Sequence, residues 1–120
     1  MGKREIVFTT RFKKDYKKVK NQTSKVKRFN EVLDYLYNGE EIPKKYKPHR
    51  LTGDWAGHLE CHIGSDLLLI WTQLLDDGTE IIYLIRLGSH SELFRQPAFL
   101  GTFAERIRLH INTYIHTSSF

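Results

Sequence analysis

The chain has 120 residues, 40% of them hydrophobic, and a net charge of +5. That suffices for one small core and not for two domains, and no apolar run approaches the ~20 residues a membrane-spanning helix needs. The opening "MGKREIVF" shows neither a long apolar stretch nor a small-residue cleavage site, so no signal peptide is expected; the single Cys61 cannot form an internal disulfide, which fits a reducing, cytoplasmic setting.

Residues 4–9, "REIVFT", are apolar and β-branched and predict a strand. Thr9 or Thr10 then caps a helix through "RFKKDYKKVK", where Phe12, Tyr16 and Val19 share a face and the lysines take the other. Ser24 is the expected cap of a second helix. Its stripe is Val26, Phe29, Val32, Leu33, Leu36 and Tyr37, and Asn38-Gly39 stops it. Residues 40–56, with two prolines and no period, read as a loop.

"GHLECHI" then alternates, with His58, Glu60 and His62 on one strand face and Leu59, Cys61 and Ile63 on the other. "GSD" is a turn, "LLLIWTQLL" an apolar strand, "DDG" a hairpin signal and "EIIYLIRL" the last strand. Short turns between three strands make an antiparallel meander. In the tail, Thr102 and Glu105 form a capping-box pattern, and Phe103, Ile107, Ile111 and Ile115 recur every four residues. The expected fold is α+β, in the order β-α-α-β-β-β, with both helices packed on one sheet face and an extra C-terminal helix. Residues 1–94 read as a single domain and 95–120 as an amphipathic extension.

Charge is unevenly spread. Residues 1–50 hold 15 Lys/Arg against 6 Asp/Glu, and residues 51–120 hold 4 against 8. A basic half attracts a polyanion, nucleic acid above all; a solvated lysine-rich helix face is the plain alternative. His49, His62, Asp66 and His90 sit at turns or element ends. In a meander, the turn holding His62 and Asp66 shares an edge with the end of the last strand, which carries Arg86 and His90. Histidines that titrate near neutrality suit proton transfer. RNA cleavage by its own 2′-hydroxyl needs a base, an acid and positive charge on the phosphate. Trp55 and Phe94 are candidates for stacking on a base. Against this, Arg86 can be a strand end paired with Glu92, and the tryptophans can be core residues. A metal at His58, Glu60 and His62 is the rival, but there is no CxxC and no zinc spacing. Cys61 points inward, where a thiol is inert.

"KYKPHRLTGDWAGHLECHIGSDLLLIW" followed by "LIRLGSHSELF" resembles the RelE-like toxins of bacterial type II toxin–antitoxin modules, in their YafQ branch, over residues 4–94. The resemblance implies a metal-independent endoribonuclease that needs no cofactor and cuts translated mRNA in the A site of the 70S ribosome. It implies as partner a cognate antitoxin, in a toxin–antitoxin heterotetramer. His49, His62, Asp66 and His90 match the family's acid–base and phosphate-contacting positions, Arg86 its strand-end arginine and Phe94 its terminal aromatic; Trp55 stays a substrate-side candidate from the reading of the residues alone. His90 is the expected acid, His49 or His62 the base, with Asp66 orienting or polarising one of them. Three features depart from the pattern: the turn "GSD" lacks the proline common there, Leu67 stands where a tryptophan is common, and the chain runs on past Phe94. The last two leave a non-catalytic antitoxin- or RNA-binding protein on the same scaffold as the alternative.

Overall fold

The structure, a computed structural model, describes residues 3–94. The helix expected in the tail lies outside the described residues. Strand β1 (Lys3–Phe8) leads into helices α1 (Thr10–Val19) and α2 (Thr23–Asn38). A 3-10 turn (Lys44–Tyr46), the two-residue strand β2 (His49–Arg50) and a second 3-10 turn (Gly53–Trp55) follow. Then come β3 (Leu59–Gly64), β4 (Leu67–Asp76), β5 (Thr79–Gly88) and the one-turn helix α3 (His90–Phe94).

The five strands form one sheet in the order β1-β5-β4-β3-β2. The expected meander is there, since β3, β4 and β5 pair antiparallel in sequence. Its hairpin turn holds Asp77 at φ 48° and Gly78 at φ 79°, the two positive values that a tight hairpin requires. The sheet is nonetheless mixed. β1 lies parallel to β5, because the α1–α2 pair carries the chain from one sheet edge to the other. β2, absent from the sequence reading, pairs antiparallel with β3 and sets His49 opposite Glu60.

Both long helices cover one sheet face. Phe12, Val19, Phe29, Val32 and Leu36 meet Cys61, Ile63, Leu69, Trp71, Ile82 and Leu84 there in one buried cluster. Thr9, not Thr10, caps α1: its hydroxyl accepts from the Phe12 amide and donates to the Leu84 carbonyl at 2.7 Å. α2 starts one residue before the expected Ser24 cap, because Gln22 turns straight off the end of α1 through the Val19 carbonyl. Tyr37, assigned to the apolar stripe, is exposed. The stop at Gly39 is as expected, with φ 72° and its amide on the Leu36 and Tyr35 carbonyls. The other sheet face is smaller. Leu68, Ile70, Tyr83, Ile85 and Leu93 are buried there under Leu51, Trp55 and Phe94.

Candidate active site

The rim of the sheet at β2 and β3 brings three polar side chains together. His49, Glu60 and His62 place one ligand-type atom each within 4.8 Å of one another. The His49 and His62 ring centroids are 6.2 Å apart. Strand pairing is the cause: β2 puts His49 beside Glu60, and the period of two puts His62 on the same face. Glu60 is 5% exposed, whereas the His49 side chain is well exposed.

Hydrogen bonding orients His49 from both sides. Its Nδ1 lies 2.9 Å from the Lys47 carbonyl and its Nε2 3.1 Å from Glu60 Oε1. A carbonyl only accepts, so Nδ1 carries a hydrogen. The contact between Nε2 and the carboxylate then needs one further proton, held on either His49 or Glu60. The second carboxylate oxygen, Oε2, is buried and has no hydrogen-bond partner among the described residues.

A second group lies at the end of β5. Asp66 Oδ1 accepts the His90 backbone amide at 3.2 Å, so Asp66 fixes the start of α3 and not an imidazole. Ser89 and Glu92 close a reciprocal cap. The Ser89 amide donates to Glu92 Oε1 at 2.8 Å, and the Glu92 amide donates to the Ser89 hydroxyl at 3.2 Å. These bonds, the Ser89 amide first, hold the Glu92 carboxyl below its ordinary pKa. The exposed His90 ring lies 4.9 Å from that of Phe94, and Phe94 meets Trp55 edge-on at 6.0 Å. The two groups flank the β3–β4 turn. Among the described residues, no hydrogen bond, ion pair or ring contact links His90 to His49 or His62.

The sequence profile for the bacterial toxin of type II toxin–antitoxin systems, YafQ, matches residues 4–95. The chain belongs to the YafQ toxin family. A YafQ protein from Haemophilus influenzae is 34% identical over 61 residues, which is 51% of this chain and about 60% of that relative's length. The mRNA interferase toxin YafQ of Escherichia coli K12 is 28% identical over 95 residues, 78% of this chain and 99% of that one. Among solved structures, a copper-bound mutant toxin from Helicobacter pylori superposes with a TM-score of 0.61 at 36% identity, over 78% of this chain and all of that one. The toxin in the E. coli DinJ–YafQ complex superposes at 0.62 with 28% identity, over 77% and 99%.

Within this YafQ frame, several expectations need amending. Arg86 is 6% exposed and does not face the histidines. Its guanidinium pairs with Asp15 of α1, not with Glu92. A bulge explains its aim: Ile70 pairs with Arg86 and Trp71 with Leu84, leaving Ile85 as the extra residue. His58 is not part of the metal-capable group. It is buried before β3 begins, with Nδ1 3.1 Å from the Trp55 carbonyl and its ring edge-on to Trp55. Its place is taken by His49, which arrives on β2. Cys61 is fully buried, and desolvation pushes its thiol up to about 12. Leu67 sits in the helix-side core at 3% exposure, so nothing there is available for stacking. Glu60 is the residue that the acid–base reading missed. Its signal was present in the sequence, as a lone carboxylate in an otherwise apolar strand on the His62 face.

Proposed function

We propose that this chain is an endoribonuclease that cuts mRNA on the ribosome and is silenced by a cognate antitoxin. The observation that carries the reading is the His49–Glu60–His62 group beside the Asp66-anchored His90, two sets of proton carriers on one rim of a YafQ fold. The E. coli relative's name as an mRNA interferase and the DinJ–YafQ complex support it. His49 or His62 takes the proton from a ribose 2′-hydroxyl. The 2′-oxygen attacks the adjacent phosphorus and the bond to the 5′-oxygen breaks. His90 gives that oxygen its proton, leaving a 2′,3′-cyclic phosphate and a 5′-hydroxyl. Glu60 orients His49 and holds its proton, while Asp66 places His90. Phe94 and Trp55 offer the aromatic surface for the neighbouring base. With Arg86 engaged by Asp15, the cations beside His49 in sequence are Lys47 and Arg50.

Primer extension on translated mRNA after induction tests this. New 5′ ends are expected with the wild type and are lost in His90→Ala, since removing a general acid costs ~10²–10⁴ in rate. Intact mRNA together with antitoxin binding would instead make the chain a non-catalytic member of its family. A second reading is favoured by the copper-bound H. pylori relative and by the buried, unpartnered Glu60 oxygen. His49, Glu60 and His62 are the donor types that copper(II) or zinc accepts. A metal held there would occupy the proton site between His49 and Glu60. Cleavage that persists in excess chelator decides for the metal-free reading, and loss restored by added metal decides against it.

A further inference from the structure

We propose that the groove between α2 and the β3–β4 turn is a subsite for RNA backbone phosphates that feeds the histidine rim. The inference rests on the endoribonuclease reading for its ligand class, but not for its geometry. The groove is open, has a volume of about 580 Å³ and is lined by Lys27, Arg28, Lys45 and Lys47. His62 lines it too, so it is continuous with the group around Glu60. Its only acidic lining residue among those described is Glu31.

Each wall is built. Arg28 Nε donates to the Ile63 carbonyl at 2.7 Å, which lays the guanidinium along the end of β3. Gly64 leaves room for it, since a Cβ there would stand 3.1 Å from Arg28 Nη2. On the opposite side, the Tyr46 hydroxyl donates to Glu31 Oε2 at 2.5 Å and pins the 3-10 turn to α2. Lys47 then turns back with φ 51° and directs its carbonyl at His49. The one acid is therefore engaged. Its carboxyl is held below its ordinary pKa by the Tyr46 hydrogen bond first, and then by the charges of Lys45, Lys27 and Arg28.

Among the described residues, the cations Lys27, Arg28, Lys45 and Lys47 have no carboxylate within ion-pair distance, and Lys45 lies 5.1 Å over the Tyr46 ring. α2 enters the groove with no acidic residue in its first turn and no side-chain cap on Gln22. The positive end of its dipole therefore adds to the same field. Four cations that share one groove with a single carboxylate leave a net positive field there. A polyanion laid along the groove neutralises that field, and a strand with regularly spaced phosphates suits an open channel better than a small enclosed ligand does. Message flanking the cut and ribosomal RNA around it offer the same phosphate chemistry.

The test uses the full chain and a single-stranded 2′-O-methyl RNA, which has no attacking hydroxyl and so binds without being cut. Binding is measured across a range of KCl concentrations. Each phosphate contact on a single strand adds about 0.7 to the slope of log K against log salt. The double variant Lys27→Gln/Lys47→Gln is expected to lower that slope by about 1.4. Lys14→Gln, on α1 and outside the groove, serves as the comparison and leaves the slope at the wild-type value. A parallel titration on 70S ribosomes without message separates the sources: a loss confined to ribosomes assigns the groove to ribosomal RNA, and a loss confined to the oligonucleotide assigns it to message. An unchanged slope in both titrations overturns the proposal. Because the lysines are exposed, an unaltered thermal midpoint confirms that the variant is folded. Cleavage is scored separately. A wild type that binds with the expected slope but never cuts sinks the nuclease reading and leaves the subsite standing.

Discussion

Arg86 and Asp15 form a buried ion pair, with Nε 2.7 Å from Oδ2 and both side chains less than a tenth exposed. The same carboxylate oxygen accepts the Leu87 amide at 3.0 Å, and Nη2 reaches Oδ1 at 3.4 Å. One aspartate on α1 therefore satisfies the Arg86 side chain and the Leu87 amide at the end of β5, just ahead of the segment that carries His90. Removing one partner of such a pair leaves a buried charge unmatched, which typically costs 3–5 kcal/mol. Asp15→Ala is expected to lower stability by about that much, measured as a shift in the urea midpoint at constant slope. The double variant Asp15→Leu/Arg86→Met removes both charges and is expected to recover a large part of the loss. A loss below ~1 kcal/mol in the single variant, the size of an exposed pair, would show that Asp15 does not hold β5 to α1.

His90 depends on a smaller device. Ser89 and Glu92 cap the single turn of α3, and the Glu92 carboxyl is held below its ordinary value of 4.5 by the Ser89 amide and hydroxyl. A lowered carboxyl contributes stability above its unfolded pKa and loses it as pH falls through the folded value. The α3 turn should therefore stay closed at neutral pH and loosen in acid, below about pH 4.5. Glu92 is exposed, so the whole molecule should not unfold with it. The His90 amide and ring resonances, followed by NMR from pH 6 downward, should broaden before those of β4. In Glu92→Ala they should be broadened already at neutral pH. Misplacing a reacting group by about 1 Å can cost ~10²-fold, so cleavage should fall mainly in kcat.

What the sequence revealed follows from how local each cause was. β4 and β5 were legible because long apolar runs and the Asp77-Gly78 turn carry their own signals. β2 was not, being two exposed residues in a proline-containing loop that become a strand by pairing with β3. The parallel edge depends on where the two helices carry the chain after β1, and no residue in β1 announces it. The candidate site divides the same way. His62 and Glu60 share a face by strand period alone, but His49 reaches them through β2. Arg86 looked like a ligand for substrate because its partner lies 71 positions earlier in the chain.

Cys61 gives a direct check on the core. It faces the helices, is fully buried, and its thiol is pushed up to about 12, by desolvation first and by the Glu60 charge second. At pH 8 the thiolate population is negligible and access is blocked. Iodoacetamide should leave the native protein unlabelled and should label it stoichiometrically in denaturant. Rapid labelling of the native form would mean that the β3–α2 contact is open in solution.

Tyr46 links stability to pH at the alkaline end. It is 3% exposed and donates to Glu31, and burial first, then that hydrogen bond, push its phenol from 10.0 up to about 12. The fold thus favours the protonated phenol. For a group raised in this way, the contribution is fully present below the unfolded pKa and disappears as pH climbs through the folded one. Stability should accordingly fall between pH 10 and about 12 beyond what the other tyrosines cause. Tyr46→Phe keeps the ring in the core but cannot ionise or donate. It should flatten this part of the profile, and at neutral pH it should cost about 1 kcal/mol, as the loss of one hydrogen bond usually does. The same variant frees Glu31 to compete for the groove lysines, so RNA binding should weaken as well. Thermal midpoints of both proteins from pH 7 to 11.5 decide the point: parallel curves would show that Tyr46 ionises freely and does not pin the turn to α2.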